Sequence, residues 1–167
     1  LLTSAKAILP NFIKIGAQNC SNEDSGAFTG ETSASMLRER SVTHVIVGHS
    51  ERRILFNETD LMVSKKVELL LNNELTPIVC IGETLSEKND KKTLQVLEKQ
   101  IDSSLTNMRA DMQLIVAYEP LWAIGTGLVP SDSEITETHS YIKEKLGQFF
   151  NTNIPILYGG SANAENC

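Results

Sequence analysis

The sequence predicts an α/β fold built on a parallel sheet, and three observations carry that expectation. Short runs rich in β-branched residues recur along the chain, stretches of helical periodicity separate them, and each run ends in a polar or glycine-rich cluster. The runs are "FIKIGA" (12–17), "THVIVG" (43–48), "TPIVCIG" (76–82), "QLIVAYE" (113–119) and "IPILYGG" (154–160). They are nearly continuous in apolar character rather than alternating, as in parallel strands covered on both faces. Helices are expected over 32–40, 58–73, 86–106 and 131–150. Repeated βα units with right-handed crossovers make either a doubly wound sheet or a closed barrel, and the pattern alone does not choose between them.

Taken in order, the chain opens in "LLTSAKAILP", which has the character of a helix tail, and leads into the first run. The polar, glycine-containing segment "CSNEDSGAFTGE" that follows is longer than an ordinary strand-to-helix connection, which suggests a role in contact. After the second run, "GHSERR" places His49 between a strand and a short helix, with Ser50 and Glu51 in its first turn. A histidine at a helix amino terminus is biased toward the neutral form, which suits donation of a hydrogen bond to a carbonyl oxygen; its other role is as a structural hydrogen-bonder.

The fourth run ends directly in Glu119. A carboxylate there is either paired structurally, with Arg52 or Arg53 as the cation, or held partly desolvated as a base. Pro120 stiffens the next step, while Gly125 and Gly127 permit unusual backbone angles. "PLWAIGTG" therefore reads as a lid bending at two ends, or as a loop whose Trp122 packs on the rim. The helix over 131–150 has Ser131 or Ser133 as its cap, acids in its first turn, and Ile135, Tyr141, Ile142, Leu146 and Phe149 on one apolar face. "YGGSAN", after the fifth run, suits close approach of an anion to backbone N–H groups, or simply a tight connection.

With 41% hydrophobic and 22% charged residues and no low-complexity linker, residues 1–167 are expected to form a single domain. The net charge of −6 and the lack of a basic run argue against nucleic acid as the main partner. No apolar stretch reaches the roughly 18 to 20 residues that a membrane span needs, and no secretion signal is evident, so the chain reads as cytoplasmic. Cys20, Cys80 and Cys167 lack the spacing of a zinc site or a disulfide scaffold and are expected as reduced thiols.

Taken together, "GAQN" (16–19), "GAFTGE" (26–31), "VIVGHSERR" (45–53), "CIGE" (80–83), "AYEPLWAIGTG" (117–127) and "YGGSANAEN" (158–166) resemble the triosephosphate isomerase family over essentially the whole chain. The resemblance implies a (β/α)8 TIM barrel, of which about five βα units are visible. It also implies interconversion of dihydroxyacetone phosphate and glyceraldehyde 3-phosphate through an enediolate, in glycolysis and gluconeogenesis, without metal or organic cofactor. By the same resemblance Glu119 is the base and His49 the neutral electrophile. Gly125 and Ser161 hold the substrate phosphate through backbone N–H groups. Pro120, Trp122 and Gly127 belong to the lid, and Tyr158 with Ser161 to the latch that bonds it when closed. Glu51 is a carboxylate beside the site. Thr29 lies near the tip of a loop inserted into the second subunit of a homodimer.

Such a barrel takes eight strands and roughly 250 residues. The family's first strand carries an asparagine and a lysine that contact substrate, and its last a glycine pair; these lie outside the five runs. The chain is therefore expected to be part of a longer molecule, and an isolated arc would expose unpaired edges. "LVP" (128–130) stands where the family usually has a lysine and an alanine in the second hinge of the lid. Two other readings compete: a catalytically silent fragment or homologue acting as an assembly module through the loop around Thr29, and another phosphate-handling barrel enzyme such as an aldolase. No lysine at a strand end is suited to a Schiff base, which counts against the aldolase.

Overall fold

Strand order decides the architecture. In the computed structural model, which describes residues 2–10, 12–105, 108–151 and 153–164, five strands form one parallel sheet in the order β1-β2-β3-β4-β5. These are β1 (Gly16–Ala17), β2 (His44–Val47), β3 (Thr76–Ile81), β4 (Ile115–Tyr118) and β5 (Ile156–Tyr158). Because the order never reverses, right-handed crossovers send every connecting helix to the same side of the sheet, as in a barrel wall and unlike a doubly wound sheet. The register puts Val47, Val79, Val116 and Ile156 in one row and Ile46, Ile78 and Ile115 in the next. The first row faces the helices, and its three valines are fully buried; Ile46, Ile78 and Ile115 stay partly exposed. The continuous apolar character of the strands thus serves two different faces, and helices cover only one of them.

The helical layer comprises α2 (Ala34–Glu39), α3 (Ser50–Phe56), α4 (Asp60–Asn72), α5 (Leu85–Asn89), α6 (Thr93–Leu105) and α7 (Asp132–Gly147), with α1 (Leu2–Ile8) before the sheet. Side-chain caps start most of them: Ser33 for α2, His49 for α3, Thr59 for α4, Thr84 for α5 and Ser131 for α7, the last two in full capping boxes. Val63, Val67 and Leu70 of α4, Leu97 and Ile101 of α6 and Ile142 of α7 are completely buried against the sheet. Each contributes about 1.5 to 3 kcal/mol by leaving water.

One expected helix and both outer strands differ. The helix expected over 86–106 is two helices, because Lys91 takes a left-handed conformation (φ 58°) between α5 and α6. No glycine or proline marks that break, so composition gave no sign of it. The outer strands are also shorter than the runs that predict them: β1 and β5 pair on one side only among the described residues, and Phe12 is 84% exposed. No helix among the described residues is long and apolar enough to cross a membrane. Cys20 and Cys80 are free and buried, and burial pushes the Cys20 thiol up to about 12; Cys167 lies outside the described residues.

Beneath the end of β2 lies a buried charge network. Lys66 Nζ donates to Glu58 Oε2 (2.7 Å) and to Asn19 Oδ1 (2.8 Å), and Arg52 Nε donates to the same Glu58 oxygen (2.7 Å). Glu58 Oε1 accepts the N–H of Gly48 (3.0 Å). Burial pushes the Glu58 carboxyl up, but the hydrogen bonds from Lys66 and Arg52 outweigh it and hold the group below its ordinary value. A carboxylate depressed in the fold stabilises above its unfolded pKa, about 4.3, and that contribution is lost as pH falls through the lower folded value. Glu58→Gln is therefore expected to cost about 3 to 5 kcal/mol at neutral pH by urea denaturation, by analogy with other broken buried pairs. The gap to the unchanged chain should narrow as pH falls below about 4.3, where Glu58 of the unfolded chain takes up a proton, and close at the lower pH where the folded Glu58 does the same.

Candidate active site at the ends of β2 and β4

Gly48 bends the chain out of β2 with a left-handed φ of 71°. A Cβ there would stand 3.0 Å from Val63 Cγ2 and 3.0 Å from Arg53 Nη2, so only glycine fits. The bend delivers His49 as the N-cap of α3, its ring Nδ1 accepting the N–H of Glu51 at 3.3 Å. A ring nitrogen that accepts a hydrogen bond carries its lone pair there, which assigns the proton of the neutral ring to Nε2. Nε2 stands 3.5 Å from Glu119 Oε1.

Glu119 follows β4 directly. Its N–H donates to Ile81 O (2.8 Å), and the residue is 6% exposed, with Oε2 accepting the N–H of Ser50 (3.3 Å) in the first turn of α3. Neither arginine pairs with it, contrary to the structural alternative in the sequence. Arg52 is bound to Glu58, and Arg53 to Asp60 Oδ1 (2.5 Å) and Gly48 O (2.8 Å). Among the described residues no lysine or arginine lies within ion-pair distance of Glu119. Burial, then the Glu119 charge beside it, pushes the neighbouring Cys80 thiol well above its ordinary range. A buried carboxylate with no lysine or arginine against it among the described residues, facing the Nε2 of an imidazole, can take a proton from carbon while the ring polarises an adjacent carbonyl.

Pro120 (φ −61°) introduces a short 3-10 turn over Leu121–Ala123, and both sides of the lid are anchored. On the near side, Trp122 Nε1 donates to Glu83 Oε1 (2.8 Å), which also accepts from Tyr118 Oη (3.2 Å). Lys88 Nζ stands 3.4 Å from the Trp122 ring centroid and 3.0 Å from Glu134 Oε1, at the start of α7 on the far side. The Ser131 backbone N–H, then Lys88, pulls the Glu134 carboxyl down to about 2. Between the anchors Gly125 (φ 68°) and Gly127 (φ 76°) are left-handed and exposed. Pro130 in the second hinge is buried, whereas Leu128 and Val129 are exposed.

The remaining residues fall at varied distances from this centre. Ser161 Oγ donates to Ala123 O (2.6 Å), tying the turn after β5 to the lid. Tyr158 makes no such bond: its buried hydroxyl lies over Gly160, where a Cβ would overlap it, and has no hydrogen-bond partner among the described residues. In this arrangement, of the two residues that the resemblance assigns to a latch, only Ser161 bonds the segment after Pro120. The Glu51 side chain is 74% exposed and lines, with Gln18, His49 and Arg52, a cleft of about 460 Å³. Thr29 is exposed in the loop whose base is closed by Ser21 N donating to Thr32 O (2.8 Å). No group of three or more His, Cys, Asp or Glu among the described residues is placed to share a metal ion. Glu83 was missed from sequence, although "CIGE" ends a strand in a glutamate just as "AYE" does.

Comparison with known proteins agrees with this architecture. The triosephosphate isomerase family model matches residues 1–167. Curated triosephosphate isomerases are 44% identical over 172 residues in Alkaliphilus metalliredigens, 46% over 160 in Amoebophilus asiaticus and 45% over 166 in Colwellia psychrerythraea. These alignments take in 99%, 92% and 96% of this chain, which spans 69%, 63% and 65% of the three relatives respectively. The crystal structure of triosephosphate isomerase from Bartonella henselae superposes with a TM-score of 0.90 at 38% identity, covering 99% of this chain and 68% of that one. The chain belongs to the triosephosphate isomerase family and carries five consecutive strands of its TIM barrel.

Proposed function

We propose that the protein carrying this chain interconverts dihydroxyacetone phosphate and glyceraldehyde 3-phosphate through an enediolate. The observation that supports this best is the facing pair: His49 Nε2, which bears the proton because Nδ1 is already an acceptor, 3.5 Å from the buried Glu119 carboxylate. Glu119 removes a proton from the carbon beside the carbonyl and returns it to the neighbouring carbon, while His49 donates to the carbonyl oxygen and passes protons between the two oxygens. The N–H of Ser50 holds the second carboxylate oxygen and so aims the first. Gly125 and Ser161 offer backbone N–H groups to the substrate phosphate, and Glu51 contributes charge at the mouth of the cleft. The lid keeps water from the enediolate, which would otherwise expel its phosphate. A phosphorylated triose as substrate is consistent with a cytoplasmic location.

The same reading includes a homodimer formed through the loop around Thr29. Phe28 in that loop is 47% exposed, and Ile54, Leu55 and Phe56 of α3, beside the cleft, are 65%, 68% and 63% exposed, an apolar surface of the kind that partners cover. Sedimentation equilibrium should give twice the chain mass, and Phe28→Asp should shift the protein toward monomer.

Glu119→Gln keeps the shape and removes the basicity. In a coupled assay kcat is expected to fall by at least about 100-fold, the lower end of what a positioned base supplies; equal rates would remove Glu119 from its role. Gly125→Ala places a side chain at φ 68°, a conformation that costs roughly 1 to 2 kcal/mol outside glycine. If the lid keeps that conformation when closed, kcat/KM should fall about five- to thirtyfold.

A further inference from the structure

Gln100 belongs to α6, in the outer layer, yet its amide makes both of its hydrogen bonds to the main chain of one residue at the end of β3. Oε1 accepts the Gly82 N–H (2.9 Å) and Nε2 donates to Gly82 O (3.1 Å). The residues on either side, Ile81 and Glu83, direct their carbonyls toward β4 and accept the N–H groups of Glu119 (2.8 Å) and Leu121 (3.0 Å). In an extended chain the groups of Gly82 then point the opposite way, toward β2. There β2 has ended, because Gly48 turns out of the sheet. Gly82 is buried, so its N–H and C=O need a partner, and the Gln100 amide takes the place of the absent strand.

Gly82 is also where β3 meets the base. A Cβ there would overlap the carbonyl oxygen of Glu119 and stand 2.6 Å from its carbonyl carbon, so the two main chains are in direct contact. We infer that Gln100 is a positioning residue for Glu119: it fixes the Gly82 peptide groups, and through them the register of 81–83 against 119–121 and the reach of the carboxylate toward His49 Nε2. The consequence for rate rests on the isomerase reading above; the consequence for main-chain placement does not.

Gln100→Met keeps length and shape and removes both hydrogen bonds. A buried apolar residue of the same helix, Leu97 (0% exposed), which has no side-chain hydrogen bond to lose, provides a control for simple destabilisation as Leu97→Ala. In the whole protein, per folded molecule, Gln100→Met should lower kcat about tenfold or more with KM within about twofold, since small misplacements of a reacting group are costly. Leu97→Ala should lower thermal stability while leaving kcat near the unchanged value. In parallel, the amide 1H–15N signals of Glu119 and Leu121 should move in Gln100→Met and stay in place in Leu97→Ala. Unmoved signals with unchanged kcat in Gln100→Met would overturn the inference, as would an equal loss of kcat in Leu97→Ala. If the unchanged protein shows no isomerase activity, the functional reading fails, and the Glu119 and Leu121 signals decide the positioning role alone.

Discussion

The site depends on the close contact of β3 and β4 main chains at Gly82. Glu119 sits one residue beyond its strand, where sheet pairing ordinarily ends and a side chain gains freedom. Here the ladder continues past the strand ends, with Ile81 O and Glu83 O receiving the N–H groups of Glu119 and Leu121, because no side chain at Gly82 stands in the way. The carboxylate therefore leaves a main chain as fixed as that of the sheet. From there it meets two groups at the start of α3, beyond the end of β2: the N–H of Ser50 and the ring of His49.

Charge is partitioned around that contact. The two arginines that follow His49 are each occupied, Arg52 with Glu58 and Arg53 with Asp60 and the Gly48 carbonyl. Had either cation reached Glu119, the carboxylate would be held in an ion pair instead of facing His49. The buried Lys66–Glu58 pair draws Arg52 away and at the same time holds the Gly48 N–H, so the bend that presents His49 and the absence of a cation at Glu119 have a common origin. The lid is restrained in a comparable way. Glu83 receives the Trp122 indole, and Lys88 bridges Trp122 to the first turn of α7, so the left-handed, exposed glycines lie between two anchored ends.

Much of this was legible in the sequence because it is local. The five runs mark the strands, Ser131 marks the start of α7, and the glycines of "GTG" mark a segment whose φ values are indeed left-handed. The break at Lys91 was not legible, since a lysine in a left-handed turn has no compositional sign. Nor was the pairing of Arg52: "SERRILFNE" offers two cations and two acids, and only the fold brings Glu58 beneath Gly48 with Lys66 against it.

By itself the sequence determined the alternation of strand and helix, the placing of His49 and Glu119 at strand ends, and the left-handed glycines of "GTG", because each follows from periodicity or backbone preference within a few residues. Periodicity left a doubly wound sheet and a barrel wall open, and the motifs pointed to the barrel that strand order shows; only the tertiary structure decided which His49 ring nitrogen accepts a hydrogen bond, which acids occupy Arg52 and Arg53, and that Gln100 serves Gly82. Those depend on strand order and on contacts between residues far apart in the chain, and hydrogen bonds of that kind leave no pattern in the sequence between them.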